Sequence, residues 1–412
     1  MNKKLMAFAV VAALAVPAAA FAQASSVTIY GRANLGLDNY SATGATSGSA
    51  GDYKARNRVY DAASRLGFRG EENLGGGLKA LFLMETGVNM DTGNTLGQSG
   101  APNPFAGALS SRIGYVGLQG NWGRVTFGKD NVWWASYPQE QTAINYLPAG
   151  LSNFYGLLGR GMNIGVSRVS NLVQYAAQVR GVTAIVSYAA NGETRPAGAK
   201  TDGRLWGVTV QGQWGAVGAG FDWVKNWGNT GTGIGGSQPA SSGHKLRAGW
   251  AYRPGAQIAV IWTKVEQDNG GFAAITAAGA GLPLALGLAL TPDATATGLS
   301  QTSWGLNWEH TFGNMQALAQ WAKVNNITGC NVAGACNNTG ATTWMAGLRY
   351  NVSKRTGLYV HYSAIRNDSN YNMDYPGGWM TSANYLGALP GLPPTSVGAD
   401  PRMYGVGVMH NF

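Results

Sequence analysis

The chain has 412 residues, of which 29 are basic and 19 acidic, with 62 glycines, 14 tryptophans, 18 tyrosines and two cysteines. Its charged residues are dispersed rather than gathered into a basic block, so no nucleic-acid partner is expected. No linker or composition shift divides a length at which globular chains usually split, long helical patterns are lacking, and glycine with aromatics suits many-stranded β structure.

The first 22 residues read as an export signal. Lys3 and Lys4 precede an apolar run over 5–16, and Ala20-Phe21-Ala22 forms a cleavage site. The run is too short for a membrane anchor. Cleavage before Gln23 leaves residues 23–412 as a single barrel domain and lowers the net charge from +10 to +8.

Sixteen alternating runs follow, at 26–38, 61–71, 78–89, 111–121, 124–130, 168–178, 182–190, 203–214, 216–226, 243–253, 256–267, 299–310, 314–325, 341–351, 356–367 and 402–412. Roughly ten residues is the length a tilted strand needs to cross a bilayer. Short connections such as Pro254-Gly255 and Ser353-Lys354-Arg355 alternate with long Gly-, Ser- and Asn-rich ones. In the first run Val27, Ile29, Ala33, Leu35 and Leu37 alternate with Thr28, Tyr30, Arg32, Asn34 and Asp38. In the second, Leu66 and Phe68 oppose Arg65 and Arg69. A charge on a lipid-facing wall costs a few kcal/mol at the midplane, so the charged sets must face a wet interior. The pattern predicts an all-β fold: a 16-stranded antiparallel transmembrane β-barrel.

Between Asp130 and Arg168 lie 37 residues without alternation, whose only charges are Glu140 and Arg160. Trp133, Trp134, Tyr137, Tyr146, Phe154 and Tyr155 are scattered through them. A loop that long is usually functional. The expectation is a segment folded into the lumen, its aromatics packed against the wall. The alternative is an aromatic surface for partly apolar solutes.

Cys330 and Cys336 form a candidate disulfide that would stabilise one loop rather than the fold, with free thiols or metal ligation as the other readings. The pattern Gly231-Thr232-Gly233-Ile234-Gly235-Gly236 lacks a following helix and reads as flexible loop. The apolar stretch 271–290, broken by Pro283, reads as an external loop. His361 and Ser363 share one strand face, as a barrel lipase would need, but that face points inward. The four histidines are dispersed, so no metal or cofactor is expected. The loops 268–298 and 368–401 keep an adhesin open as a further reading.

Three segments resemble the general trimeric outer-membrane porins of beta-proteobacteria: 25–31 (Ser-Ser-Val-Thr-Ile-Tyr-Gly), 64–80 (opening Ser64-Arg65-Leu66-Gly67-Phe68-Arg69-Gly70) and 123–130. The terminal Phe412, on a strand with Tyr404, Val406, Val408 and His410, resembles their assembly signal. The resemblance implies a homotrimer of channels whose third external loop folds inward. It implies as partners outer-membrane lipid and lipopolysaccharide, and small solutes and ions. In the anion-selective members an arginine cluster on the wall faces that loop. Motif by motif, Arg65, Arg112 and Arg168 match the cluster and Glu85 matches an acidic neighbour. Arg32, Lys79, Glu140 and Arg160 complete the candidate constriction set. Alternation independently turns Arg65, Arg112 and Arg168 inward. A guanidinium stays charged and offers a fork of donors to an oxyanion. The bland reading is that these arginines pair with nearby acids and are structural.

Overall fold

The computed structural model describes residues 26–62, 64–88, 90–91, 109–132, 168–190, 204–227, 240–268, 298–371, 373 and 396–412. The signal segment and residues 133–167 lie outside them. Strand segments run in chain order as β1 (Ser26–Thr43), β2 (Tyr53–Asp61), β3 (Arg65–Gly75), β4 (Leu78–Gly87), β5 (Ile113–Gly120) and β6 (Gly123–Asn131). Next come β7 (Arg168–Val179), β8 (Val182–Ala189), β9 (Leu205–Trp214), β10 (Val217–Asn226), β11 (Ser241–Arg253) and β12 (Ala256–Asp268). The circuit ends with β13 (Gly298–Phe312), β14 (Met315–Val324), β15 (Ala341–Asn351), β16 (Thr356–Asn367) and β17 (Asp400–Asn411).

Apart from β2 and β3, each segment pairs antiparallel with its sequence neighbour, and β17 returns to pair with β1 from Arg32↔Asn411 to Thr43↔Asp400. β2 and β3 both pair with β1, β2 along its upper part and β3 along Ser26–Arg32. They are two halves of one stave, so the seventeen segments make a closed barrel of sixteen. Closure leaves no open edge, as a bilayer interior demands.

The break between β2 and β3 is spanned by side-chain hydrogen bonds to β1. The Asn34 N–H donates to Ser64 Oγ (2.9 Å), Asn34 Nδ2 donates to the Ala62 carbonyl (3.1 Å), and the Ser64 N–H donates to Asp61 Oδ1 (2.8 Å). Periodicity predicted the lower half of this stave. It missed β2, whose sequence Tyr-Lys-Ala-Arg-Asn-Arg-Val-Tyr-Asp has too many charges to show an apolar face. Charge is tolerated there because β2 continues the stave beyond the apolar band.

Burial is inverted relative to a water-soluble protein. Val27 and Ile29 are each 61% exposed, whereas inward-facing Asn34 and Asp38 are buried. The same holds for Val360 against His361 on β16 and for Leu306 against Asn307 on β13. Short turns cap one end, and at Gly215 the backbone takes φ +60°, open to glycine at little cost. Above those turns the outer face carries Trp250, Tyr252, Trp308 and His310, linked through the Tyr252 hydroxyl (Trp308 Nε1 at 3.0 Å, His310 Nδ1 at 2.8 Å). A second outward belt lies toward the long-loop end, where Trp262 faces Trp304 and Trp321 faces Trp344 across their ladders. Two aromatic belts flanking an apolar band mark the two surfaces of a membrane.

Cys330 and Cys336 are disulfide-bonded, with Cα atoms 5.8 Å apart, in the connection between β14 and β15. That connection is also tied by Ile327 N–H to Thr339 Oγ1 (2.8 Å) and Thr339 N–H to Asn326 Oδ1 (3.0 Å). A ring this small contributes about 2 kcal/mol, confined to the loop. Replacing both cysteines by serine should shift the barrel's thermal unfolding midpoint by less than about 4 °C, read by circular dichroism. A larger fall would mean that the loop supports the wall.

Candidate functional site: an arginine cluster on the inner wall

Glu85 sits near the long-loop end of β4, on its inward face. Its opposite number on β3 is Gly67. A Cβ at Gly67 would fall 2.3 Å from the Tyr30 ring, so only the missing side chain lets that ring lie flat across β3. Tyr30 thereby spans from β1 to β4, and its hydroxyl donates to Glu85 Oε2 at 3.2 Å. The Arg69 guanidinium stands over the same ring, 5.5 Å from its centroid.

Two arginines converge on the carboxylate. Arg112, the residue before β5, donates through Nε to Glu85 Oε1 at 2.8 Å, while its backbone N–H donates to the Glu85 carbonyl at 2.9 Å. Arg65, opening β3, brings Nε to 3.5 Å from Glu85 Oε2. Arg32 lies directly opposite Arg65 in the β1–β3 ladder, and its Nε donates to Asn411 Oδ1 at 3.2 Å. Like charges placed opposite one another repel. The wall holds them because its inner face is wet and Glu85 stands between two of them.

Arg168 opens β7 opposite Asn131, and its Nε has no hydrogen-bond partner among the described residues. It feels the charges of Arg65, Arg112 and Glu85, and of Asp130, whose carboxylate accepts the Asn131 N–H at 2.7 Å. Arg32, Arg65, Arg112 and Arg168 against Glu85 and Asp130 leave a formal charge of +2. Low-dielectric walls focus such a field into the passage.

Not every expected residue joins this group. Lys79 also lies on the inward face of β4, but six residues from Glu85 and so about 20 Å away. Near the short turn it pairs with Glu71 (2.9 Å), both side chains largely exposed. Lys79 therefore belongs to the rim, not to the cluster. Glu140 and Arg160, with Trp133, Trp134, Tyr137 and Tyr146, lie outside the described residues. Tyr30 and Asp130 are members that the sequence reading did not single out. Tyr30 had a signal, an inward aromatic flanked by glycine-rich partners. Asp130 had only its adjacency to the long segment.

His361 and Ser363 do point inward, and they do not form a dyad. His361 Nε2 lies 3.1 Å from the Tyr60 hydroxyl, and Ser363 Oγ donates to the Trp344 carbonyl at 3.1 Å.

Comparison with known proteins agrees with this architecture. Outer membrane porin protein 32 of Delftia acidovorans is 35% identical over 184 residues, which cover 42% of this chain and 45% of that protein. An outer membrane porin protein of Bordetella pertussis is 31% identical over 191 residues, 42% of this chain and 44% of the relative. The match thus spans less than half the length of these curated relatives. Among solved structures, an anion-selective porin from Comamonas acidovorans superposes with a TM-score of 0.66 at 20% identity, over 94% of this chain and 100% of the other. At that identity the likeness speaks for the fold alone. The profile of one family, described as Gram-negative porin, matches residues 7–370. With a closed sixteen-stranded barrel, two aromatic belts and a charged inner wall, the chain belongs to the Gram-negative porin family of the outer membrane.

Proposed function

We propose that the chain forms a passive, water-filled channel for small hydrophilic solutes, with anion preference set by Arg65, Arg112 and Arg168. One observation carries this reading: guanidiniums from three staves, Arg65 and Arg112 on the Glu85 carboxylate and Arg168 within their field, outnumber Glu85 and Asp130 on the inner wall, with Arg32 opposite Arg65. A fixed excess of positive charge in a constriction selects by sign. The 131–167 segment, folded inward, would narrow the lumen at that depth, with Glu140 and Arg160 on its surface. A barrel hydrolase is the weaker reading, because His361 and Ser363 are each committed to another partner. Arrangement as a homotrimer, and cleavage before Gln23, belong to the same proposal.

Purified protein in a planar bilayer should give discrete conductance steps and a zero-current potential of anion sign across a salt gradient. Its mass in mild detergent should be three barrels. Lipid or peptide hydrolysis without conductance would overturn the channel reading, and a single-barrel mass would overturn the trimer.

A further inference from the structure

About half a circuit from the arginine cluster, the inner wall carries two carboxamides whose polar atoms are left unpaired. Asn307 on β13 and Gln320 on β14 stand directly opposite one another. Both lie on the inward face, at a depth between the outward rings of Trp304 and Trp308. Asn307 is 1% exposed, yet neither its Nδ2 nor its Oδ1 has a hydrogen-bond partner among the described residues, and Gln320 Nε2 has none either. Opposed residues on one face have Cβ atoms about 5 Å apart, so the two amides are within reach of each other and still do not pair. A buried polar atom without a partner is uncommon in a folded protein and calls for an explanation.

Their surroundings are small, apolar and uncharged. Ala259 faces Asn307 from β12, and Gly305 faces Ala322 one step nearer the external end, so the wall is recessed toward β12 and that end. Met345 faces Gln320 from β15, and Leu318 stands two residues before Gln320 on β14; both are buried. Neighbouring charges are directed elsewhere. The Glu309 carboxylate accepts from Gln316 Nε2. Arg247 lies over Gly220 and donates to Asp222 and to Gln211 (2.8 Å), away from β13. The stem of Arg349 lies against Gly357 on β16, away from β14.

The three unpaired atoms define a complement. Two are N–H donors and one is a carbonyl acceptor. A solute edge with C=O beside N–H satisfies all of them. Its N–H donates to Asn307 Oδ1, and the two lone pairs of its carbonyl accept from Asn307 Nδ2 and Gln320 Nε2. A carboxylate brings no donor for Oδ1. A lone hydroxyl brings both functions on one oxygen, which cannot meet the two diverging atoms of a carboxamide at near-linear angles. The cis amide of a small ring has its edge in the required geometry. Its methylenes suit Leu318 and the adaptable side chain of Met345.

We propose that Asn307 and Gln320 form a solute-binding station on the inner wall, separate from the arginine cluster, for small uncharged solutes that carry a cis-amide edge on an apolar ring, of the lactam class. As a station on a diffusion path it rests on the channel reading; binding to the wall does not.

The test titrates the full-length protein in mild non-ionic detergent, read by saturation-transfer NMR. The probes are δ-valerolactam and its N-methyl derivative, which keeps the ring and the carbonyl and lacks the N–H. The wild type should bind δ-valerolactam about fivefold tighter, the worth of one neutral hydrogen bond. N307L should bind the two probes equally. The control is S303A, on the same face and hydrogen-bonded to Thr263 (2.6 Å), which should keep the wild-type ratio. Equal binding of the two probes by the wild type, a wild-type ratio in N307L, or loss of the ratio in S303A each overturns the proposal. If N307L does not assemble, Q320M, at a half-buried position, should weaken δ-valerolactam about threefold, and unchanged binding there refutes the proposal equally. Conductance steps recorded without either probe test the channel reading by itself. A barrel that prefers δ-valerolactam and does not conduct keeps the site and loses the channel. One that conducts and shows no preference loses the site alone.

Discussion

Replacing Arg65, Arg112 and Arg168 together by glutamine should carry the zero-current potential through zero to the cation side. The four arginines and two acids of the cluster sum to +2, and removing three positive charges leaves −1, with Arg32 facing Glu85 and Asp130. A unit charge about 4 Å from a passing ion is worth about 1 kcal/mol in bulk water and about 4 kcal/mol at an effective dielectric near 20. Since 1.4 kcal/mol is tenfold in occupancy, losing three such charges should cost at least about tenfold in anion-to-cation ratio. The effect should be largest at about 0.01 M salt, where the Debye length is about 30 Å, and should fade toward 1 M. Glu85→Gln is the opposing arm. It removes the carboxylate that Arg65 and Arg112 share, takes the sum to +3, and should strengthen anion preference. It should also cost stability, because Tyr30 and two guanidiniums lose their common acceptor. A triple variant with the wild-type reversal potential would sink the assignment. So would a wild type that already prefers cations at low salt.

The outer wall of this barrel was legible because lipid imposes a rule on every second residue. Val27, Ile29 and Leu37 had to be apolar, and the strands that obey the rule were found within a few residues of their ends. β2 obeys no such rule, since above the apolar band neither face must be dry, and its stave was read only as far as Asp61. Strand β1 runs longer than its apolar pattern for the same reason.

The inner wall was legible in sign but not in depth. Parity alone sends both Lys79 and Glu85 inward from β4, and nothing in the sequence distinguishes rim from constriction. Depth comes from the ladder, which sets Lys79 opposite Asn73 beside the short turn and Glu85 opposite Gly67. The resemblance singled out Arg65, Arg112 and Arg168 because each stands beside a recognisable motif. Tyr30 escaped because its role depends on an empty place one strand away. A hydroxyl reaches Glu85 only where Gly67 offers no side chain. A single sequence shows the glycine and the tyrosine, but not that they are neighbours.

The same pairing of ring and glycine recurs where the barrel closes, and there its removal should be felt by the whole fold. Gly36 on β1 and Gly407 on β17 face one another across the closing ladder. Tyr60 lies beside Gly36 in the ladder from β2, and Tyr359 lies beside Gly407 from β16. Both rings fold inward over the glycines, and the Tyr60 hydroxyl donates to that of Tyr359 at 3.2 Å, directly over the seam. Tyr359 passes the chain on to Asn34 Oδ1 at 2.8 Å, and His361 Nε2 lies 3.1 Å from Tyr60. A Cβ at Gly36 would lie 2.4 Å from the Tyr60 ring, and one at Gly407 2.3 Å from that of Tyr359. Gly36→Val or Gly407→Val must therefore swing a buried ring into the lumen. The expected cost is about 1–3 kcal/mol for the overpacked site, and about 1–3 kcal/mol more for hydroxyls left without partners. Tyr60→Phe keeps the ring and loses only its hydroxyl's hydrogen bonds, so about 1–2 kcal/mol is expected. The two valine variants combined should cost less than their sum, because either one already breaks the same clasp. The temperature at which the folded species converts to the unfolded band in electrophoresis measures each variant. The displaced ring should also lower single-channel conductance in the valine variants and leave it unchanged in Tyr60→Phe. Valine variants that unfold at the wild-type temperature would show that the seam is held by its backbone ladder alone.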